Sequence, residues 1–205
     1  MSLWTLNEVH RSTFKVKQSD FISYIRKINS IPEFRSWLSQ LKKDHYDSDH
    51  ACWAYRIYEN RQLNAHFSDA GEPAGTAGSI IMRVLKQFEI VQGSIVVVRY
   101  FGGIQLGKRG LINAYHESAT NVVNVSKLVR WENIQHYEIQ CPIKYVGVLS
   151  KYIYEKKYKI IQDRSNEKLK WTIQIDERKA SEFIKMFELL TLGEGQLEKS
   201  LKMHE

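Results

Sequence analysis

The chain has 205 residues, 43% of them apolar or aromatic and 26% charged, which excludes collagen-like, low-complexity and fully disordered classes. Its formal net charge of +7 favours anionic partners, nucleic acid above all. Two cysteines, Cys52 and Cys141, are too few for a disulfide framework, and no run of about 18 apolar residues offers a membrane span.

The first segment, Met1 to Phe14, carries Glu8, His10 and Arg11 and has no apolar core. It does not read as a signal peptide, so a cytoplasmic protein with reduced thiols is expected. Phe21 to Ile28 alternates loosely and suits a short strand. Ile31–Tyr46 reads as a helix. Pro32 sits in its first turn, where proline is tolerated, and Phe34, Trp37, Leu38 and Leu41 follow at helical spacing. Asp44 to His50 reads as a polar connection and Cys52–Tyr58 as a strand.

Residues 67–78, FSDAGEPAGTAG, combine three glycines and a proline and read as a shaped loop. The loop runs into a helix with Ile80, Ile81, Val84, Leu85 and Phe88 on its apolar side. Ser94–Phe101, SIVVVRYF, is apolar on both faces and reads as a central strand. A second glycine loop, Gly102–Gly110, opens another helix, in which Leu111, Tyr115, Ala119, Val122 and Val123 share a face.

The pattern changes after 127–133. His136–Ile143 reads as a strand and Tyr145–Glu155 as a helix with Val148, Leu149 and Tyr152 inward. Tyr158–Asp163 and Leu169–Ile175 read as two strands. Arg178–Leu190 reads as a helix burying Phe183, Ile184, Phe187 and Leu190, stopped by Gly193, and Gln196–Leu201 as a last strand. The fold class is therefore α+β, with a domain at 1–130 and a second, ferredoxin-like βαββαβ domain at 131–205. The positive charge is uneven. Residues 1–130 hold 17 Lys+Arg against 11 Asp+Glu, and residues 131–205 hold 13 against 12.

Both glycine loops end at helix starts, where unpaired N–H groups and a partial positive charge attract anions. The first loop permits two readings, a phosphate cradle or a tight turn into a helix. In the second, Lys108 and Arg109 oppose the helix dipole unless an anion shares the site, or they are simply solvated. Arg99 suits either bidentate phosphate binding or pairing with Asp69 or Glu72, and Tyr100 either stacks a base or serves structure. Asp69 and Glu72 have the chemistry of an acid/base pair, with no reaction implied. Asp44, His45, Asp47, Asp49, His50, Cys52 and His66 include metal-ligating types, but without metal-site spacing they read as a solvated loop. No catalytic residue, metal ligand or cofactor is assigned.

These loops carry a resemblance. FSDAGEPAGTAG (67–78) and VVVRYFGGIQLGKRGLINAY (96–115), with HACWAYR (50–56), resemble the signature of the YigZ/IMPACT family over residues 14–125. Residues 136–199 resemble, more loosely, the small C-terminal domain of the bacterial branch. The resemblance implies a first domain like the second domain of a small-subunit ribosomal protein, the fold shared with domain IV of elongation factor G. It implies a ferredoxin-like second domain similar to the last domain of that factor. Eukaryotic relatives carry an RWD domain, for which this chain has no room, and regulate translation initiation by competing for a kinase activator. For bacterial relatives, RNA or ribosome binding is suggested by the fold.

The resemblance carries over Asp69, Gly71, Glu72, Pro73, Gly75, Thr76 and Gly78 in the first loop. In the second it carries over Arg99, Tyr100, Phe101, Gly102, Gly103, Leu106, Gly107 and Gly110, with Tyr115 beyond. Ala70, Ala74 and Arg109 depart from the usual acidic residue, Ser and Gly. The candidate ligand site is therefore Asp69, Gly71, Glu72, Gly75, Thr76, Gly78, Arg99, Tyr100, Gly102, Gly103, Gly107, Lys108, Arg109 and Gly110. The expected function is a non-catalytic, translation-associated module binding RNA or the ribosome, with no membrane partner. A protein-binding regulator and an enzyme acting on a small phosphorylated substrate are the alternatives.

Overall fold

The computed structural model describes residues 3–59 and 62–200. It divides into two compact units, Met1–Trp131 and Glu132–Glu205.

The first unit runs β1 (Trp4–Leu6), β2 (His10–Val16), β3 (Ser19–Lys27), α1 (Ile31–Asp44), β4 (His50–Glu59), β5 (Gln62–Ser68), α2 (Gly78–Gln87), β6 (Gly93–Tyr100), α3 (Gly107–Asn124) and β7 (Leu128–Arg130). Its main sheet has the order β2-β3-β6-β4-β5, with every neighbouring pair antiparallel. β6 lies in the middle, and its apolar run is covered on both sides: Ile95 and Val97 face the core under α2 and α3, while Val96 and Val98 face α1. A strand packed on both faces has no room for polar alternation. β1 pairs with β7 in a separate two-stranded ribbon.

Helix α1 begins at Ser30, whose side chain accepts from the Glu33 N–H, while Glu33 accepts from the Asn29 N–H. Such a cap is worth about 1 kcal/mol. The helix buries Phe34, Trp37 and Leu41, leaving Leu38 half-buried. The predicted apolar face of α3 is buried at all five positions.

The second unit runs β8 (Ile134–Pro142), a 3-10 turn at Ile143–Tyr145, α4 (Val146–Glu155), β9 (Lys159–Asp163), β10 (Lys168–Asp176), α5 (Glu177–Leu190) and β11 (Gln196–Ser200). Its sheet has the antiparallel order β11-β8-β10-β9. Gly193 ends the α5 turn at φ +78°, donating to Glu188 O at 2.9 Å. Leu201, placed in the last strand by the sequence pattern, lies outside the described residues.

The differences from expectation have local causes. β1, β2, β5 and β7 were not anticipated: two are three-residue pieces, and β2 and β5 are edge strands. Phe67 and Ser68, assigned to the first loop, end β5. Gly107–Gly110, assigned to the second loop, form the first turn of α3. Val148 and Ile184, expected inward, are each 40% exposed, and Leu190 is half-buried. Leu149 with Tyr152, and Phe183 with Phe187, occupy the inner stripe instead. No helix among the described residues is long and apolar enough to cross a membrane.

Candidate anion-binding site

One end of the first unit's sheet gathers most of the candidate residues. β2 turns into β3 there through Lys17 and Gln18, both at positive φ as a two-residue hairpin requires. β4 starts there at His50, directly opposite Arg99 near the end of β6. β5 ends there at Ser68 and leads into the first glycine loop. Gly102 follows β6 so closely against the hairpin that an added Cβ would lie 2.1 Å from Gln18 backbone atoms. Only glycine fits that approach.

The two glycine loops use their helix starts differently. In the first, Asp69 turns its carboxylate back onto the start of α2. Its Oδ1 accepts from the N–H groups of Ala77 (3.0 Å) and Gly78 (2.8 Å), and its Oδ2 from Gly75 (3.0 Å). Of the two readings of the first loop, the turn into a helix is the one this geometry supports: the protein's own carboxylate takes the N–H groups of Gly75, Ala77 and Gly78. Gly78 has a further constraint, since a Cβ there would lie 2.5 Å from the Ser68 backbone. The buried Thr76 hydroxyl donates to Pro73 O at 2.7 Å and serves the turn rather than a ligand.

The start of α3 is open. Among the described residues no side chain caps it, and its first turn contains no acid. The first N–H groups of a helix have no partner within it. Lys108 and Arg109 are exposed there and form no ion pair with the described residues. Phe101 and Ile104, 45% and 43% exposed, stand in the connection just before it.

Between the loops is a cleft of about 400 Å3 lined by Asp49, His50, Glu72, Pro73, Arg99, Phe101, Gln105, Leu106, Gly107, Lys108 and Leu111. Glu72 and Arg99 form a buried ion pair, Oε1 to Nη1 at 2.7 Å. Tyr115 donates its hydroxyl to the same Oε1 at 2.8 Å. Arg99 also sits 5.3 Å from the Phe101 ring centre and 5.5 Å from that of Phe21. Of its two expected roles, pairing is the one present: Arg99 donates from Nη1 to Glu72, while its Nε is buried without a hydrogen-bond partner among the described residues.

Cys52 donates to Tyr115 Oη at 3.3 Å. Burial pushes the Cys52 thiol up to about 12, and the Tyr115 hydroxyl is likewise raised, mainly by burial. Both stay protonated near neutral pH, and neither supplies a nucleophile there.

Tyr100 does not join the cleft. Successive strand residues point to opposite faces, so Tyr100 follows Val96 and Val98 to the α1 side. Its hydroxyl meets His45 Nδ1 at 2.7 Å and Asp47 Oδ1 at 3.3 Å, while His45 Nε2 meets the Tyr24 hydroxyl at 2.8 Å. This network accounts for His45 and Asp47, and His66 packs beside Tyr55. Among the described residues, no group of three or more His, Cys, Asp or Glu side chains is placed to hold a metal ion.

Of the remaining candidates, Gly71 and Gly103 hold turns at positive φ, and Gly110 lies within the first turn of α3. Sequence reasoning missed the cleft roles of Asp49, His50, Gln105 and Leu111. Asp49 Oδ2 accepts from the Phe101 N–H at 2.6 Å and ties the polar connection to the second loop. His50 donates from Nδ1 to Ala70 O at 3.0 Å. Since a carbonyl only accepts, that nitrogen carries the hydrogen. The usable signal for His50 was its place at the head of HACWAYR (50–56), beside an aromatic strand that had to pair somewhere in the sheet.

A mixed α+β protein with a helix start opening on a polar cleft is the class these observations define. The family model for the Impact N-terminal domain matches residues 17–123, and the chain belongs to the IMPACT family. It is 28% identical over 196 residues to the IMPACT family member YvyE of Bacillus subtilis, covering 96% of this chain and 90% of that one. It is 32% identical over 130 residues to the IMPACT family member YigZ of Escherichia coli, covering 62% of this chain and 63% of that one. A crystal structure titled only as that of a hypothetical protein has the same fold, with a TM-score of 0.65 at 24% identity, covering 99% of this chain and 98% of that one.

Proposed function

We propose that this protein is a non-catalytic, translation-associated regulatory module that binds RNA, free or within the ribosome, through the α3 end of its first unit. The observation that carries the reading is the contrast between the two helix starts. α2 is filled by Asp69, whereas α3, among the described residues, is uncapped and flanked by two cations without ion-pair partners. Two like charges at a helix N-terminus are unfavourable unless an anion joins them. Phosphate is such an anion, and it gains backbone N–H donors as well. The exposed Phe101 and Ile104 add apolar contact for bases, and Lys17 on the adjacent hairpin adds a further exposed cation. The excess of basic residues over residues 1–130 and membership of the IMPACT family are consistent with this role.

The second unit fits the reading as a ferredoxin-like partner domain, given its β-α-β-β-α-β order. Its charge is close to balanced, so it is given no part in phosphate binding here.

Binding of single-stranded RNA by the wild-type chain and by the double variant Lys108→Ala/Arg109→Ala, measured across a salt series, tests the proposal. The expected affinity falls steeply with salt, and the double variant loses about 0.7 from the logarithmic salt slope per lost phosphate contact, alike for every sequence. Wild-type binding that is salt-independent, or binding unchanged in the variant, would overturn it.

A further inference from the structure

We infer that β5, the outer strand of the first unit's main sheet, is a dimerisation edge. It pairs antiparallel with β5 of a second copy of this chain and joins the two main sheets into one. The inference goes beyond the anion-binding reading and draws on a different part of the first unit.

A strand at the end of a sheet presents a row of unpaired N–H and C=O groups, and proteins blunt such edges with lysine and other charges, with proline or with bulges. The two larger sheets have four edge strands, β2, β5, β9 and β11. β2 exposes Arg11, Thr13 and Lys15. β9 carries Lys159 and Asp163, and its register with β10 shifts partway along. β11 exposes Glu198 and Lys199. β5 has none of these devices. Its sequence, QLNAHFS, contains no Asp, Glu, Lys, Arg or Pro, and it pairs with β4 over all seven residues in one unbroken register. Leu63 and Phe67 are 43% and 49% exposed, and Ala65 between them is exposed as well. Among the described residues no strand lies beyond it.

The strand's own sequence selects a second copy as the occupant. Two copies of β5 related by a two-fold axis perpendicular to the sheet run antiparallel. An axis through Ala65 aligns all seven residues. Leu63 then faces Phe67 of the second copy, Asn64 faces His66 and Gln62 faces Ser68, each pair occurring twice. The faces agree as well. Leu63, Ala65 and Phe67 lie opposite Tyr58, Arg56 and Ala54 of β4 on one side of the sheet, and Gln62, Asn64, His66 and Ser68 lie on the other. Apolar residues therefore meet apolar ones, and polar residues meet polar ones. Like charges directly opposite each other destabilise a strand pair, and a strand laid against its own copy readily creates them. With no Asp, Glu, Lys or Arg in β5, none arise. The pairing uses up the edge in both copies, so the assembly closes at a dimer. A contact one strand wide is small, which makes the dimer weak and dependent on concentration.

Sedimentation velocity of the intact chain, from low micromolar to near-millimolar concentration, tests this. The expected result is a reversible monomer–dimer equilibrium with nothing larger. Hydrogen exchange of the β5 amides should slow at the dimeric end of the series, while that of the β2 amides stays the same. Ala65→Lys places two like charges at the axis and should hold the chain monomeric. Thr13→Lys, at an exposed position on the β2 edge, should leave the equilibrium unchanged. Leu63→Lys and Phe67→Glu should each weaken the dimer, and the two together should recover much of it, because the new charges then face each other across the axis. Melting curves confirm that each variant folds; if they do not, the wild-type exchange pattern decides alone. A monomer at every concentration, larger species that grow with concentration, a dimer unmoved by a folded Ala65→Lys, or protection on β2, β9 or β11 in place of β5 would overturn the inference. RNA binding at the α3 start is read by its own salt series and does not depend on this result.

Discussion

Glu72 joins three elements through one oxygen: its own loop, β6 through Arg99, and α3 through Tyr115. With Glu72 and Arg99 at 7% and 5% exposure, removal of either partner strands a charge in the interior. Breaking such a buried pair costs about 3–5 kcal/mol. Glu72→Ala should lower unfolding stability by that amount in denaturant titrations, and Glu72→Gln, which leaves the Arg99 charge uncompensated but keeps an oxygen to accept from Tyr115 and Arg99, by somewhat less. Equal losses in the two variants would show that charge, not hydrogen bonding, dominates. At this scale the sequence was only half legible. Arg99, Glu72 and Asp69 could be singled out as residue types beside glycines, but which carboxylate faces Arg99 depends on strand register, and no local signal encodes it. Tyr100 was misplaced for the same kind of reason: its neighbour Arg99 enters the cleft, and strand alternation sends Tyr100 to the other face.

The contrast between α2 and α3 belongs to the scale of elements. Asp69 satisfies N–H groups that would otherwise be orphaned at the start of α2. Asp69→Ala should therefore destabilise the first unit by about 1–2 kcal/mol in thermal or denaturant melts, the range seen when a helix cap is lost. Asp69→Asn should recover part of it, since one oxygen still accepts; no loss in Asp69→Ala would mean that the loop holds its shape without the cap. The long periodic elements could be read in advance because their apolar spacing is set by the core they face. α1 with Phe34, Trp37 and Leu41, and α3 with Leu111 through Val123, follow this rule. β5 could not be read, because it is a sheet edge with five of its seven residues exposed and the other two half-buried. With so little of it buried, the period-two signal disappears. α4 and α5 were placed well, but Val148 and Ile184 lie at the rim of the inner stripe, where spacing alone does not separate inside from outside.

Across the whole molecule, function is concentrated by topology. The β2–β3 hairpin, the start of β4, both glycine loops and the start of α3 reach the same end of one sheet. Residues far apart in the chain, from Lys17 to Arg109, become neighbours in role only after the antiparallel order β2-β3-β6-β4-β5 is formed. The sequence carried the glycine punctuation and the excess of basic residues over 1–130, which pointed to this region. It did not carry the fact that one loop is closed by its own carboxylate and the other left open. The most direct test of that asymmetry is a titration of the isotope-labelled chain with short single-stranded RNA, following backbone amide shifts. The account predicts that the amides of Gly107, Lys108, Arg109 and Gly110 move together and saturate, while those of Gly75, Ala77 and Gly78, held by Asp69, stay nearly fixed. Shifts centred on Gly75–Gly78, or on the second unit's sheet with α3 undisturbed, would contradict it.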